Sequence, residues 1–225
     1  MSPILSRTSP TFGRTSASRL AVGVLASGRG TNLQALLDAC AAPDFPARIA
    51  VVISDRERAA ALDRARAAGV EAVWLNPKDY ADRERFDLAL VRELEKRQVG
   101  LVCQAGYMRI LSAAYIRAFY GRALNVHPSL LPAFPGLHAQ RQALEHGAKV
   151  TGATVHFADA GVDTGPIVLQ APVPVLADDT EETLSARILL EEHRLYPAAV
   201  RLFAEGRLEI AGRRVIIKDA PAEVR

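Results

Sequence analysis

The sequence predicts an α/β protein: one domain with a Rossmann-like parallel sheet in its N-terminal half and a mixed-sheet extension in its C-terminal half. Three observations carry this. Short β-rich runs alternate with helical stretches from Leu20 to Val126, the pattern of βαβ units. Several runs are continuously apolar, as in Ile49-Ala50-Val51-Val52-Ile53, which suits strands covered on both faces. After Leu137 the pattern changes, and strands follow one another across a turn.

The elements follow in order. Leu20 to Ala26 is a first strand, then a Gly-rich turn, then a helix from Asn32 to Ala41. Arg48 to Ser54 is a second strand, followed by an Ala/Arg-rich helix to about Ala68 and a third strand from Val70 to Leu75. Tyr80 to Arg97 is an amphipathic helix with Phe86, Leu90 and Leu94 on one face. Leu101 to Ala105 and Ala123 to Val126 are strands four and five. A short helix, Gln140 to His146, leads to Thr151 to Phe157, which alternates like a half-exposed strand. Asp159 to Pro166 turns into a strand from Ile167 to Val175. A helix from about Thr180 to Glu205 and two short strands around Leu208 and Val215 close the chain.

At 225 residues this reads as one domain, residues 20–217, with no internal repeat and no linker. Residues 1–19 read as a disordered tail rich in Ser, Thr, Pro and Arg, and 218–225 as a C-terminal tail. Arg7, Arg14 and Arg19 account for the net charge of +3, since 28 basic residues less these three equal the 25 acids. A neutral folded part argues against a nucleic-acid partner. No run is long and apolar enough to span a membrane or serve as a signal peptide, and the expected location is cytoplasmic. Cys40 and Cys103 read as reduced structural thiols. No His or Cys pair has metal-ligand spacing, so no metal is expected.

Three stretches carry chemistry. Asn125-Val126-His127-Pro128 sits where the fifth strand runs out into a proline-rich loop. Side chains two apart on a strand point the same way, so a neutral donor and a titratable imidazole converge. Ser27-Gly28-Arg29-Gly30-Thr31-Asn32 joins the first strand to the first helix. It reads either as a cradle for a phosphate monoester or as a tight turn with Thr31 as helix cap. Beyond the fourth strand, Met108 and Leu111 line a slot for a flat ring, with Arg109 near water, or else Met108 and Ile110 belong to the core. Asp163, in Val162-Asp163-Thr164-Gly165-Pro166, is a turn residue or a partner for His127. His156 reads as structural, and Glu191-Glu192-His193 as a solvated helix face.

The order and spacing of these motifs resemble the phosphoribosylglycinamide formyltransferases. The resemblance runs from about Leu20 to Ile217 and rests on Ser-Gly-Arg-Gly-Thr-Asn at 27–32, Ala-Gly-Tyr-Met-Arg-Ile-Leu at 105–111 and Asn-Val-His-Pro-Ser-Leu-Leu-Pro at 125–132. It continues through Val-Asp-Thr-Gly-Pro-Ile at 162–167 and Glu-Glu-His-Arg-Leu-Tyr-Pro at 191–197. The His-Pro-Ser-Leu-Leu-Pro block is shared with the wider formyltetrahydrofolate-using enzymes, whose tRNA formyltransferases and deformylases would need a further domain.

The resemblance implies formyl transfer from 10-formyltetrahydrofolate to glycinamide ribonucleotide in purine synthesis, by a monomer or homodimer. It implies Asn125, His127 and Asp163 as the catalytic trio, and Gly30, Thr31, Asn32 and Glu192 as ribonucleotide contacts. It implies Arg83, Met108, Arg109, Ile110, Leu111 and Asn125, with Asp159, Ala160, Gly161 and Val162, as folate contacts. Asp163 is expected to raise the His127 pKa above its reference of about 6.5. Gln104 and Leu189 depart from the family pattern, where an apolar and a polar side chain respectively are found.

Overall fold

The computed structural model describes residues 19–219. Of the expected tails, 1–19 and 218–225, residues 1–18 and 220–225 lie outside the described residues, while Arg19 and Lys218 hydrogen-bond to the domain. Among the described residues nine strands form one sheet in the order β3-β2-β1-β4-β5-β6-β7-β9-β8. The strands are β1 (Leu20–Leu25), β2 (Ala47–Ser54), β3 (Glu71–Trp74), β4 (Leu101–Gln104), β5 (Ala123–His127), β6 (Val150–Phe157), β7 (Ile167–Pro174), β8 (Leu208–Ala211) and β9 (Arg214–Ile217). The first five pair in parallel, and β6 and β7 add antiparallel. The expected parallel half and mixed extension are both present.

Among the described residues six α-helices cover the sheet: α1 (Thr31–Ala41), α2 (Ala60–Ala67), α3 (Arg83–Glu95), α4 (Ala113–Ala118), α5 (Ala139–Glu145) and α6 (Glu181–Ala204). One core cluster joins Leu33 and Leu36 of α1, Leu62 of α2 and Leu184, Ile188 and Tyr196 of α6 to one face of the sheet. A second joins Phe86, Leu90 and Leu94 of α3 and Tyr115 of α4 to the other face. Continuous apolar strands are thus explained, because both faces of the parallel half are covered.

Two expectations need correction. β6 is not half-exposed, since Thr151 to Phe157 are all buried. One face packs on α6. On the other, the proline-rich loop lies against Thr154, whose hydroxyl donates to Ser129 O (2.6 Å) and accepts from Leu131 N–H (3.1 Å). Thr154, a polar position that mimicked a wet face, is thus satisfied by that loop. The long helix begins at Arg83 rather than Tyr80, with Asp82 as N-cap accepting from Arg85 N–H (2.8 Å). A 3₁₀ turn, Pro77–Asp79, precedes it.

The chain order reverses between β1 and β4. In open parallel sheets the crevice beyond the strands' carboxyl ends at this point receives ligands. The loops after β1, β4 and β5 all leave from that edge.

Candidate active site

A cavity of about 1090 Å³ opens there. The Gly-rich loop, the segment 104–111, Asn125 to Pro128, Asp163 and Glu192 all line it. Residues from five separate motifs therefore share one space.

The Gly-rich loop is held from behind. Ser27 N–H donates to Gly106 O (3.2 Å) and Ala61 N–H to Gly28 O (3.1 Å). Arg64 Nε–H donates to Arg29 O at 2.8 Å. Gly30 lies at φ 73°, ψ 31° and precedes α1 with no side-chain cap. Thr31 is therefore not the cap; it is the first helical residue. Uncapped helix-start amides and the helix dipole favour an anion. Asn32 Nδ2 donates to Glu192 Oε2 at 2.7 Å. Glu192 is buried, not on a solvated face. Burial pushes its pKa up, and the Asn32 bond pulls it back.

The segment after β4 is tied at both ends. Met108 N–H donates to Ser27 Oγ (3.1 Å), and Ser27 donates to Asp55 (2.6 Å). Ser112 N–H donates to the buried Asp87 at 2.5 Å. Between these ties Met108 and Ile110 are 58% and 61% exposed. They are not core residues: they stand at the cavity as an apolar wall. Arg109 is not simply solvated, because its guanidinium lies 4.9 Å from the Phe86 ring centre.

Asp163 is the hub of the polar cluster. Its Oδ2 accepts from Gly136 N–H (2.8 Å) and lies 3.3 Å from His127 Nδ1. Its Oδ1 accepts from Asn125 Nδ2 (3.3 Å) and lies 3.5 Å from His156 Nε2. These contacts keep the Asp163 pKa low against burial, the largest single influence on it. Asp163 holds a left-handed φ of 54°, a conformation Asp tolerates better than most residues. His127 Nε2 faces Phe134 O at 2.8 Å.

The sign expected for His127 is reversed. Burial pushes its pKa below the usual histidine value and outweighs the Phe134 carbonyl and Asp163, which pull it up. His127 is only 5% exposed, so the charged ring loses most of its hydration. His156 is another correction. It pairs in register with Asn125 across β5 and β6, and its Nε2 lies 3.2 Å from Asn125 Nδ2. The antiparallel register brings it into the site.

Other sequence-named residues fall as follows. Asp159, Gly161 and Val162 line the cavity, and Ala160 does not. Asp159 Oδ1 accepts from Gly161 N–H (3.0 Å) and from the Thr164 hydroxyl (2.7 Å) and so shapes that loop. Arg83 does not line the large cavity; it lies on a smaller one with Ser112 and Arg117. Leu189 does line the large cavity, one helical turn before Glu192. Cys40 and Cys103 are buried free thiols, with burial pushing Cys40 up to about 11. Among the described residues no His, Cys, Asp and Glu group is arranged to hold a metal. No described helix is long and apolar enough to cross a membrane.

Residues 20–200 match the family described as formyl transferase. The chain belongs to the formyl transferase family. Within it, the chain is 50% identical over 190 residues to the phosphoribosylglycinamide formyltransferase of Mycobacterium tuberculosis, covering 84% of this chain and 87% of that one. It is 47% identical over 214 residues to the trifunctional purine biosynthetic protein adenosine-3 of Drosophila pseudoobscura pseudoobscura, covering 93% of this chain. That match spans only 15% of the trifunctional protein's length. In structure it is similar to glycinamide ribonucleotide transformylase 1 from Symbiobacterium toebii, with TM-score 0.88, 62% identity and coverage of 89% of this chain and 95% of that one. The mixed α/β fold with a mostly parallel central sheet is common to both.

Proposed function

We propose that this chain transfers a formyl group from 10-formyltetrahydrofolate to the primary amine of glycinamide ribonucleotide (GAR), a step of purine synthesis. The observation that carries the reading is the shared cavity. An anion-favouring loop, an apolar wall and the Asn125–His127–Asp163 cluster all open into it. The GAR phosphate would rest on the amides of Gly30, Thr31 and Asn32, with Glu192 beside the sugar. The folate ring would lie against Met108 to Leu111 and the loop from Asp159 to Val162, with Arg83 at its far end.

In the reaction the amine nitrogen attacks the formyl carbon. A C–N bond forms, and negative charge builds on the formyl oxygen. The bond to the folate nitrogen then breaks as that nitrogen takes a proton. Asn125 and protonated His127 would stabilise the oxygen's charge. The contacts of Asn125 Nδ2 at 3.2 and 3.3 Å are long, so one can be exchanged for the substrate, as happens when catalytic bonds tighten in a complex.

Burial lowers the His127 pKa, and its contacts suit a ring that carries a proton. A neutral imidazole can donate to only one of the two oxygens it faces, Phe134 O and Asp163 Oδ2. A proton from the attacking amine, taken as the Phe134 contact is exchanged for the substrate, lets it donate to Asp163 and to the reacting atoms together. His127 would then return that proton to the folate nitrogen. Negative charge on the formyl oxygen favours this protonation, so the ring becomes a better base as the transition state forms.

The test is formyl transfer measured with and without GAR. Tetrahydrofolate should appear only with GAR, one equivalent for each formylated GAR. Formate release at the same rate without GAR would overturn the reading and identify water as the acceptor.

A further inference from the structure

Gln104 ends β4 and is 9% exposed. It is the register partner of Asn125, which is in turn the partner of His156. Three polar side chains therefore stand in a row across β4, β5 and β6, on one face of the sheet. Asn125 and His156 contact each other and Asp163. Gln104 Nε2 is buried and makes no hydrogen bond with any described residue. A primary amide buried without a partner is costly, and few such groups persist without a reason.

Gln104 lines the large cavity beside Asn125. Its position in the strand has the same parity as Val102, which packs on the α3–α4 face. Leu111, at the end of the Met108–Leu111 wall, packs against the same cluster. The Gly-rich loop leads into α1, and Glu192 lies on α6, on the opposite face.

We propose that Gln104 is a specificity residue for the folate, donating a hydrogen bond from Nε2 to an acceptor on its heterocycle. An amide fits this task because it carries donors and an acceptor side by side, as the edge of a pterin ring does. The unpartnered donor then has a function: a small turn of the amide toward the cavity pairs it with the ligand, which relieves the cost. A site with a dedicated buried donor also discriminates against ring analogues that lack the acceptor.

The proposal rests on the formyl-transfer reading, and GAR-dependent turnover by the wild type in the same assay separates the two. The variants are Gln104→Met, which keeps length and volume, and Gln104→Leu. Each is assayed for KM toward 10-formyltetrahydrofolate and toward GAR, for kcat, and for the melting temperature of the ligand-free protein. Two effects of opposite sign are expected. KM for the folate rises about fivefold to tenfold, while KM for GAR and kcat stay within about twofold. The ligand-free protein melts about 2–4 °C higher, because an unpaired buried amide is gone. A purely structural amide would lower the melting temperature and leave the two KM values in proportion, which would overturn the proposal. So would an unchanged folate KM, or a loss confined to kcat.

Discussion

Gly30→Ala tests how the phosphate cradle is built. A Cβ at Gly30 would lie 2.8 Å from Ala61 Cα and 2.9 Å from Ala61 Cβ, with Arg64 Cδ at 3.3 Å. The first two atoms belong to the start of α2 and cannot swing aside like a side-chain tip. Gly30 also holds φ at +73°, which costs an L-residue about 1–2 kcal/mol. Crowding of this kind costs about 1–3 kcal/mol more. Either the loop or α2 must yield, and Ala61 N–H bonds to Gly28 O, so the loop moves in both cases. If about 1.4–2.8 kcal/mol of phosphate binding is lost, KM for GAR rises roughly tenfold to hundredfold. KM for the folate should rise far less, by no more than about threefold, since its wall is tied to Asp87 and to Ser27 at the start of the loop, three residues from Gly30. Gly28→Ala is the control. No atom lies within 4 Å of its Cβ position, so its effect should stay within about 0.5 kcal/mol. Steady-state kinetics with each substrate varied in turn reads all four values. Equal rises in both KM values for Gly30→Ala, or equal effects of the two substitutions on GAR, would refute the reasoning.

Other expectations follow from burial and charge. The folded-state pKa of His127 is lowered, so the unfolded chain binds its proton first as pH falls past the reference of about 6.5. Stability should therefore drop as pH is lowered from 7.5 to 5.5, and less steeply in His127→Gln; parallel melting curves for the two proteins would count against a buried neutral imidazole. Arg19 donates through Nε to Phe45 O (3.0 Å) and Ala47 O (2.9 Å) and through Nη2 to Cys40 O. Removing residues 1–18 should thus leave melting temperature and turnover unchanged, whereas extending the deletion through Arg19 should destabilise the protein by about 1–3 kcal/mol. A large loss from the shorter deletion would show that the tail packs on the domain.

The parts that could be read from the sequence were those with local causes. Continuous apolar runs such as Ile49 to Ile53 announce strands covered on both sides, and the i and i+2 spacing of Asn125 and His127 announces their convergence. Helix α4 leaves no such trace. It is six residues long with only Tyr115 buried, too short for a helical period to stand out. His156 enters the site through the β5–β6 register, a long-range fact invisible in a strand that alternates like any other. Thr154 looked solvent-facing because the sequence cannot show which loop will fold over it. The sign of the His127 shift failed for a related reason: the neighbouring charge was legible as a motif, but the depth of burial is a property of the assembled fold.

The most direct test of the central claim is a double-mutant cycle on kcat between His127 and Asp163, made with both substrates saturating. Asp163→Asn keeps the shape but removes the charge 3.3 Å from His127 Nδ1. The account predicts a large fall in kcat for Asp163→Asn and at least as large a fall for His127→Ala. The double variant should be little worse than His127→Ala alone, because the two act as one proton-carrying unit. Both KM values should change little, and the His127 pKa measured by NMR should fall further in Asp163→Asn. Full turnover in Asp163→Asn with an unchanged His127 pKa, or losses that simply multiply in the double variant, would contradict it.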